Sequence, residues 1–221
     1  MIRIILASAS PRRKELLSSI IPRFEIIVEK TDESLGGDIH PRDGVRILAE
    51  RKGKALLGTE KLTKVGNVVQ NNAVKPQNVD NELQKLLENR ENSGEYMIIS
   101  SDTLVEIDGI ALGKPISEQN ALEMLMQLSG KEHRVHTGIA VYYKGKTYSD
   151  TATSSVYFRS FTEKEAWDYI KTGEPMDKAG AYAIQGIGVG LVDRYQGDFD
   201  TIVGLSLGLT QKLMKKALEN D

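Results

Sequence analysis

Apolar positions along this chain follow two periods, and the switches between them mark its elements. "IRIILA" (2–7) is a compact apolar run of strand length. "PRRKELLSSI" (11–20) puts Leu16, Leu17 and Ile20 on one helical stripe. "RFEIIVEK" (23–30) reads as a second strand and "TDESLGGDIHP" (31–41) as a polar loop. "RDGVRILAERKGKALLG" (42–58) returns to helical spacing, with Val45, Leu48, Ala49, Leu56 and Leu57 facing a core. Residues 59–95 break the pattern: Asn, Gln and charge dominate, and only "NELQKLLENR" (81–90) has the look of a short helix. The rest of that stretch reads as a polar insertion or mobile loop within one domain spanning 1–221.

The second half is more regular. "YMIISSDTLVEIDGIALGKP" (96–115) predicts a hairpin turning at Asp108-Gly109. Ser117 caps the helix "EQNALEMLMQL", which Gly130 ends. "HRVHTGIAVYY" and "TYSDTATSSVYFRSF" are two long strands around the turn "KGK". Thr162 and Glu165 form a capping box that opens "EKEAWDYIKT", stopped by Gly173 and Pro175. "GAYAIQGIGVGLVDRYQG" (180–197) reads as Gly-rich strand, and "LSLGLTQKLMKKALEN" (205–220) as a last helix. Strands and helices interleave, so the fold class is α/β or α+β with both parallel and antiparallel pairs.

Charge and composition narrow the chemistry. The 221 residues carry a net charge of -2, without the basic excess of a general nucleic-acid binder. There is no Cys, which excludes disulfides, thiolate metal sites and thiol nucleophiles. The start "MIRIILASAS" lacks the basic leader and apolar length of a signal peptide, and no apolar run reaches the ~18 residues of a membrane helix. The expectation is a soluble, cytoplasmic protein with no membrane partner.

One stretch contradicts helix electrostatics. Ser10 and Pro11 mark a helix start, so Arg12, Arg13 and Lys14 fall in the first turn, where the dipole disfavours cations by ~0.3–1 kcal/mol each. A bound polyphosphate would reverse that cost, because free N–H groups and guanidinium both grip phosphate. Two arginines pointing into water would account for the residues as well. Asp102 is the second anomaly: strand alternation sets it with Leu104 and Glu106 on one face, amid Ile98, Ile99 and Val105. A carboxylate there needs a partner, a metal or a cleft. Asp32 and Glu33 in the polar loop could add oxygen ligands, and Lys52 and Lys114 are isolated cations. Gln185 could read a base edge by donating and accepting together, or bond a strand backbone. His133 and His136 fall on opposite faces of one strand and read as structural. No Walker A or dinucleotide fingerprint is present, since the glycines of "GIGVG" alternate without G-x-G-x-x-G spacing. Cations at a helix start plus strand carboxylates suit metal-assisted attack of water on a phosphate chain.

The blocks "LASASPRRKELL", "SSDTLVEIDGIALGKP", "LSGKEHRVHTG" and "GEPMDKAGAYAIQGIG", in this order, resemble the Maf family of nucleoside triphosphate pyrophosphatases over nearly the whole chain outside 59–95. The resemblance implies a Maf/inosine-triphosphatase-like α/β fold: a long mixed sheet flanked by helices, and two lobes with a central cleft. It implies cleavage between the α and β phosphates with a divalent cation, Mg²⁺ or Mn²⁺. By motif position Asp102 takes the proton-acceptor role. Ser8, Arg12, Arg13, Glu33, Lys52 and Lys114 take substrate, phosphate or metal contacts, with Glu33 and Asp102 at the metal. Arg12 after Pro11, Thr103 after Asp102, and Gln185 are similar to the branch acting on dTTP and UTP, which implies that these three set specificity. The 7-methyl-GTP branch places an aromatic after the proline and "SDQ" in the second motif. Activity on 7-methyl-GTP or another non-canonical nucleotide, and a nucleotide-binding regulator of cell division, are the alternatives. A homodimer is left open.

The chain departs from the family pattern in three places. "SSDT" stands for "GADT", "VGLSL" for "VGLPL", and Gly53 follows Lys52 within a helix. Gly53 is expected to cost ~1 kcal/mol of helix stability and to loosen that helix end. Ser206, in the proline position, is expected to loosen the start of the last helix.

Overall fold

A strand flanked on both sides and covered on both faces is near-continuously apolar, and β1 (Arg3–Leu6) follows that rule past its first residue, with Ile4, Ile5 and Leu6 buried and Arg3 paired with Glu25. It runs parallel to β2 (Arg23–Ile26) on one side and to β4 (Tyr96–Ile107) on the other. The computed structural model describes residues 2–36, 39–62, 67–70, 79–89 and 95–220. Along the chain, α1 (Pro11–Ser18) follows β1, and α2 (Pro41–Lys54) follows β2. The short strand β3 (Asn67–Gln70) and helix α3 (Asn81–Glu88) precede β4, which turns into β5 (Ile110–Leu112). Then come α4 (Glu118–Leu128), β6 (Glu132–Tyr143), β7 (Lys146–Phe158) and α5 (Glu163–Ile170). The chain ends with β8 (Val192–Gln196), α6 (Phe199–Val203) and α7 (Leu207–Glu219).

The strands form one mixed sheet in the order β3-β2-β1-β4-β6-β7-β8, with β5 paired to β4. Alternation along the central strands divides the core. Ile4, Leu6, Met97 and Ile99 face α1, α3 and α7, while Ile5, Ala7, Ile98 and Ala140 face α2. A separate apolar cluster gathers Val105, Ile107, Val135 and Val156 from the far ends of β4, β6 and β7 under α4 and α5. These cores are the two lobes of a long mixed sheet flanked by helices, as the resemblance implied.

Helix α2 lies unusually close to the sheet. A Cβ on Gly138 would stand 2.3 Å from the Val45 carbonyl oxygen, and one on Gly53 would stand 2.2 Å from a Tyr142 ring carbon. Gly53 is therefore a contact residue: it is buried, and α2 continues through it to Lys54. Ser206 acts as the N-cap of α7, accepting the Leu209 N–H at 3.4 Å.

Three local readings change. In the polar stretch the short helix read over 81–90 is present as α3, capped by Asp80 and burying Leu83 completely against the α7 side of the core, but β3, read as insertion or loop, pairs antiparallel with β2. Positions 63–66, 71–78 and 90–94 lie outside the described residues. The segment read as Gly-rich strand is a series of tight turns (Ala179–Ala181 and Ile187–Leu191), with strand only at β8. Gly180 at φ 67° and Gly186 at φ 103° break an extended path there. Helix α6 is an element the sequence pattern did not reveal; Asp198 caps it by accepting the Asp200 N–H. Among the described residues no helix is long and apolar enough to cross a membrane.

Candidate active site

Between the lobes lies a cavity of about 1200 Å³. Its wall is built from the turn from β1 into α1, the loop after β2, the second half of α2, the centre of β4, the loop after β5 and the stretch from Glu174 to Gly186, with Val135 of β6 and the end of α6. The residues that the resemblance assigned to the site all line it: Ser8, Arg12, Arg13, Glu33, Lys52, Asp102, Thr103, Lys114 and Gln185. Asp32, the other candidate oxygen ligand, does not, and its carboxylate accepts the Ser34 N–H (2.9 Å) and hydroxyl (2.8 Å) instead.

The two arginines of the first turn do different things. Arg13 donates from Nε to the Gly204 carbonyl (2.9 Å), from Nη1 to the Ser101 carbonyl (2.9 Å) and Ser8 Oγ (3.4 Å), and from Nη2 to Thr103 Oγ1 (3.0 Å). It pins α1 to β4 and to the end of α6. Burial pulls its pKa down, against the pull of Asp102. Arg12 has no hydrogen-bond or ion-pair partner among the described residues, and it faces the cleft. Neither side-chain cap nor acid occupies the first turn of α1, so its N–H groups also remain open to the cavity.

Thr103 is held in the same network. Thr137 donates to the Thr201 carbonyl (2.7 Å), which leaves Thr103 to donate to Thr137 Oγ1 (3.0 Å) while accepting from Arg13. The serines that replace the family's "GA" are both engaged. Ser101 Oγ donates to the Gly204 carbonyl (3.0 Å), and Ser100 Oγ donates to the Ala49 carbonyl (2.7 Å).

Asp102 sits nearly buried on β4 and forms an ion pair with Lys52 Nζ. The same ammonium lies 2.8 Å from Glu33 Oε1. Its hydrogen bond, outweighing partial burial, holds the Glu33 carboxyl below the usual range. Lys52 is placed by α2, which Ser100 and Tyr142 fasten to the sheet; Tyr142 Oη donates to the Glu50 carbonyl at 2.6 Å. Also on the cavity wall, Lys178 pairs with Asp177, and Lys114 has no ion-pair partner among the described residues. Gln185 is exposed to the cavity, and its amide has no hydrogen-bond partner among the described residues.

Two carboxylates on either side of one ammonium are suitable oxygen donors for a divalent cation. Among the described residues no group of three His, Cys, Asp or Glu side chains could hold a metal. That donor set fits Mg²⁺ or Mn²⁺ taken up with a phosphate substrate, since Mg²⁺ is usually bound by one or two carboxylates plus substrate oxygens. The histidines stay outside the site: His136 bonds Glu106 (2.7 Å) and Thr153 (2.8 Å), and His133 bonds the Tyr182 hydroxyl (2.9 Å). Sequence reasoning missed Lys178 and Glu174 as cleft residues and Ser100 and Tyr142 as supports. The motif "GEPMDKAGAY" did carry the first two.

The profile of the family described as Maf-like protein matches residues 3–217. A dTTP/UTP pyrophosphatase from Bacillus thuringiensis subsp. konkukian is 37% identical over 216 residues, covering 98% of this chain and 96% of the relative. A dTTP/UTP pyrophosphatase from Bdellovibrio bacteriovorus is 36% identical over 215 residues, covering 96% of this chain and 97% of the relative. With a family profile and relatives that span nearly its whole length, this chain belongs to the Maf-like protein family.

Proposed function

We propose that this protein is a cytoplasmic nucleoside triphosphate pyrophosphatase that cleaves dTTP and UTP, modified pyrimidine nucleotides included, between the α and β phosphates. The observation that carries the reading is the nearly buried Asp102, paired with Lys52 in a cleft whose lining also presents Arg12, Lys114 and a Gln185 amide without a hydrogen-bond partner among the described residues. The names of the relatives support the same chemistry.

In this reading the open N–H groups of α1 and the unpaired Arg12 and Lys114 bind the phosphate chain. Arg13 holds the frame of that site from beneath. Asp102 accepts the proton of the attacking water, and Lys52 keeps the Asp102 carboxylate oriented. Gln185, able to donate and accept at once, meets the edge of the base. Glu33 and Asp102 would hold Mg²⁺ or Mn²⁺, which supplies neutralisation of phosphate charge and a more acidic water.

Steady-state hydrolysis of dTTP, UTP, CTP, GTP and 7-methyl-GTP with Mg²⁺ or Mn²⁺ tests the assignment. A kcat/KM highest for dTTP and UTP is expected. Preference for 7-methyl-GTP would move the protein to the other branch of the family, and no turnover by folded protein would make it a nucleotide-binding protein.

A further inference from the structure

The segment carrying Gln185 is neither helix nor strand, yet its backbone is tied down by two side chains from the end of α5 and the turn after it. The Tyr169 hydroxyl oxygen accepts the Ala183 N–H at 3.1 Å, and the same hydroxyl donates to Glu174 Oε1 at 2.8 Å. Glu174 in turn accepts the Ile187 N–H at Oε2 (3.0 Å) and the Gly188 N–H at Oε1 (2.9 Å). Between these anchors run only Ile184, Gln185 and Gly186. Gly186 rests directly on the carboxylate, because a Cβ there would fall 2.4 Å from Glu174 Oε2.

Glu174 is also a wall residue of the cleft. An ionised carboxylate beside a polyphosphate is electrostatically unfavourable, so its position calls for an account. Burial acts to raise its pKa, but the two backbone N–H groups and Tyr169 outweigh burial and hold the carboxyl below the usual range. The charge is thus taken up by the loop it clamps.

We propose that Glu174, set in place by Tyr169, is the positioning residue through which the cleft selects its base. The inference rests on the proposed function and adds to it the device that orients Gln185. An amide fixed in one orientation matches a base edge with complementary donors and acceptors and leaves polar groups unpaired against others. An amide on a loose loop turns to suit either edge and loses that discrimination.

The test is a double-mutant cycle on Glu174→Gln and Gln185→Ala, with kcat and KM for UTP and GTP measured through pyrophosphate release. Glu174→Gln keeps the shape but offers only one acceptor oxygen to its three donors. Expected is a rise of about tenfold or more in KM for UTP, as for a misplaced binding group, with kcat nearly unchanged. The UTP-over-GTP preference should fall with it. Gln185→Ala should add little in the Glu174→Gln background. Tyr169→Phe, which keeps the ring packing, should shift preference in the same direction more weakly. Hydrogen exchange at the Ile187 and Gly188 amides should speed up in Glu174→Gln. Independent, additive losses from the two substitutions would overturn the proposal, as would an unchanged UTP-over-GTP ratio in a folded Glu174→Gln protein. Turnover of no nucleotide by the unaltered protein would remove the functional reading and this inference together, a result distinct from loss of the clamp alone.

Discussion

The Arg13 guanidinium donates to the Thr103 hydroxyl at 3.0 Å, and through it to Thr137 and the Thr201 carbonyl. One of the cations that helix electrostatics disfavours is therefore a structural tie between α1, β4 and α6. The carbonyl of Gly204 receives both Arg13 Nε and Ser101 Oγ, so its acceptor capacity is filled. Arg13→Ala should destabilise the protein by about 2–4 kcal/mol, because several part-buried acceptors lose a charged donor at once. Arg12→Ala should stay within ~0.5 kcal/mol in stability. It should raise KM for the triphosphate roughly 10- to 100-fold, the value of a charge-assisted phosphate contact. Urea denaturation and steady-state kinetics on the two variants separate these roles.

Asp102→Asn keeps the side-chain volume and removes the base. Turnover should fall by about 10²–10⁴-fold while nucleotide binding persists. Chelation of divalent cations should abolish turnover of the unaltered protein and be reversed by Mg²⁺ or Mn²⁺. Turnover unaffected by a chelator would rule out cation binding at Glu33 and Asp102 as part of the reaction.

Gly53→Ala separates packing from propensity. Helix propensity alone would favour the change by ~1 kcal/mol. The added Cβ would meet the Tyr142 ring at 2.2 Å and Ser100 Oγ at 2.8 Å. Overpacking of this kind costs about 1–3 kcal/mol, so the melting temperature should fall. Because Lys52 is the adjacent residue, kcat should drop with it.

His133 supplies a pH signature. Burial lowers its pKa from 6.5 to about 4. Between those values the unfolded chain binds a proton that the folded chain refuses, so stability rises with pH. Acidification from pH 6.5 towards 4 should therefore remove about 2–4 kcal/mol through this residue. His136, whose pKa burial also lowers against the pull of Glu106, acts in the same direction. Melting temperatures of the unaltered protein and of His133→Phe across that range should converge at acid pH. Parallel curves would show that His133 does not titrate on unfolding.

What could be read from the sequence is what local chemistry dictates. The Asp108-Gly109 turn, the Thr162–Glu165 capping box and the long β6–β7 hairpin each follow from neighbouring residues, and the structure has all three. The cleft residues were legible because their motifs are contiguous. Arg13 was not legible as a tie, because its partner Gly204 is 191 positions away. The 180–197 segment misled for another reason. Alternating glycines imitate a two-residue period, while Tyr182, Ala183 and Ile184 are buried in succession, as a turn under a cleft allows and a two-faced strand does not. β3 was hidden in a polar stretch because an edge strand needs little apolar character: it pairs by backbone with β2 and buries almost nothing itself.

The most direct test of the central claim is hydrolysis of dTTP in ¹⁸O-labelled water, with the products separated and weighed by mass spectrometry. Water activated at Asp102 and directed at the α phosphorus should yield labelled dTMP and unlabelled pyrophosphate, and Asp102→Asn should form them about 10²–10⁴-fold more slowly. Orthophosphate and dTDP as products, or the label in pyrophosphate, would contradict the account.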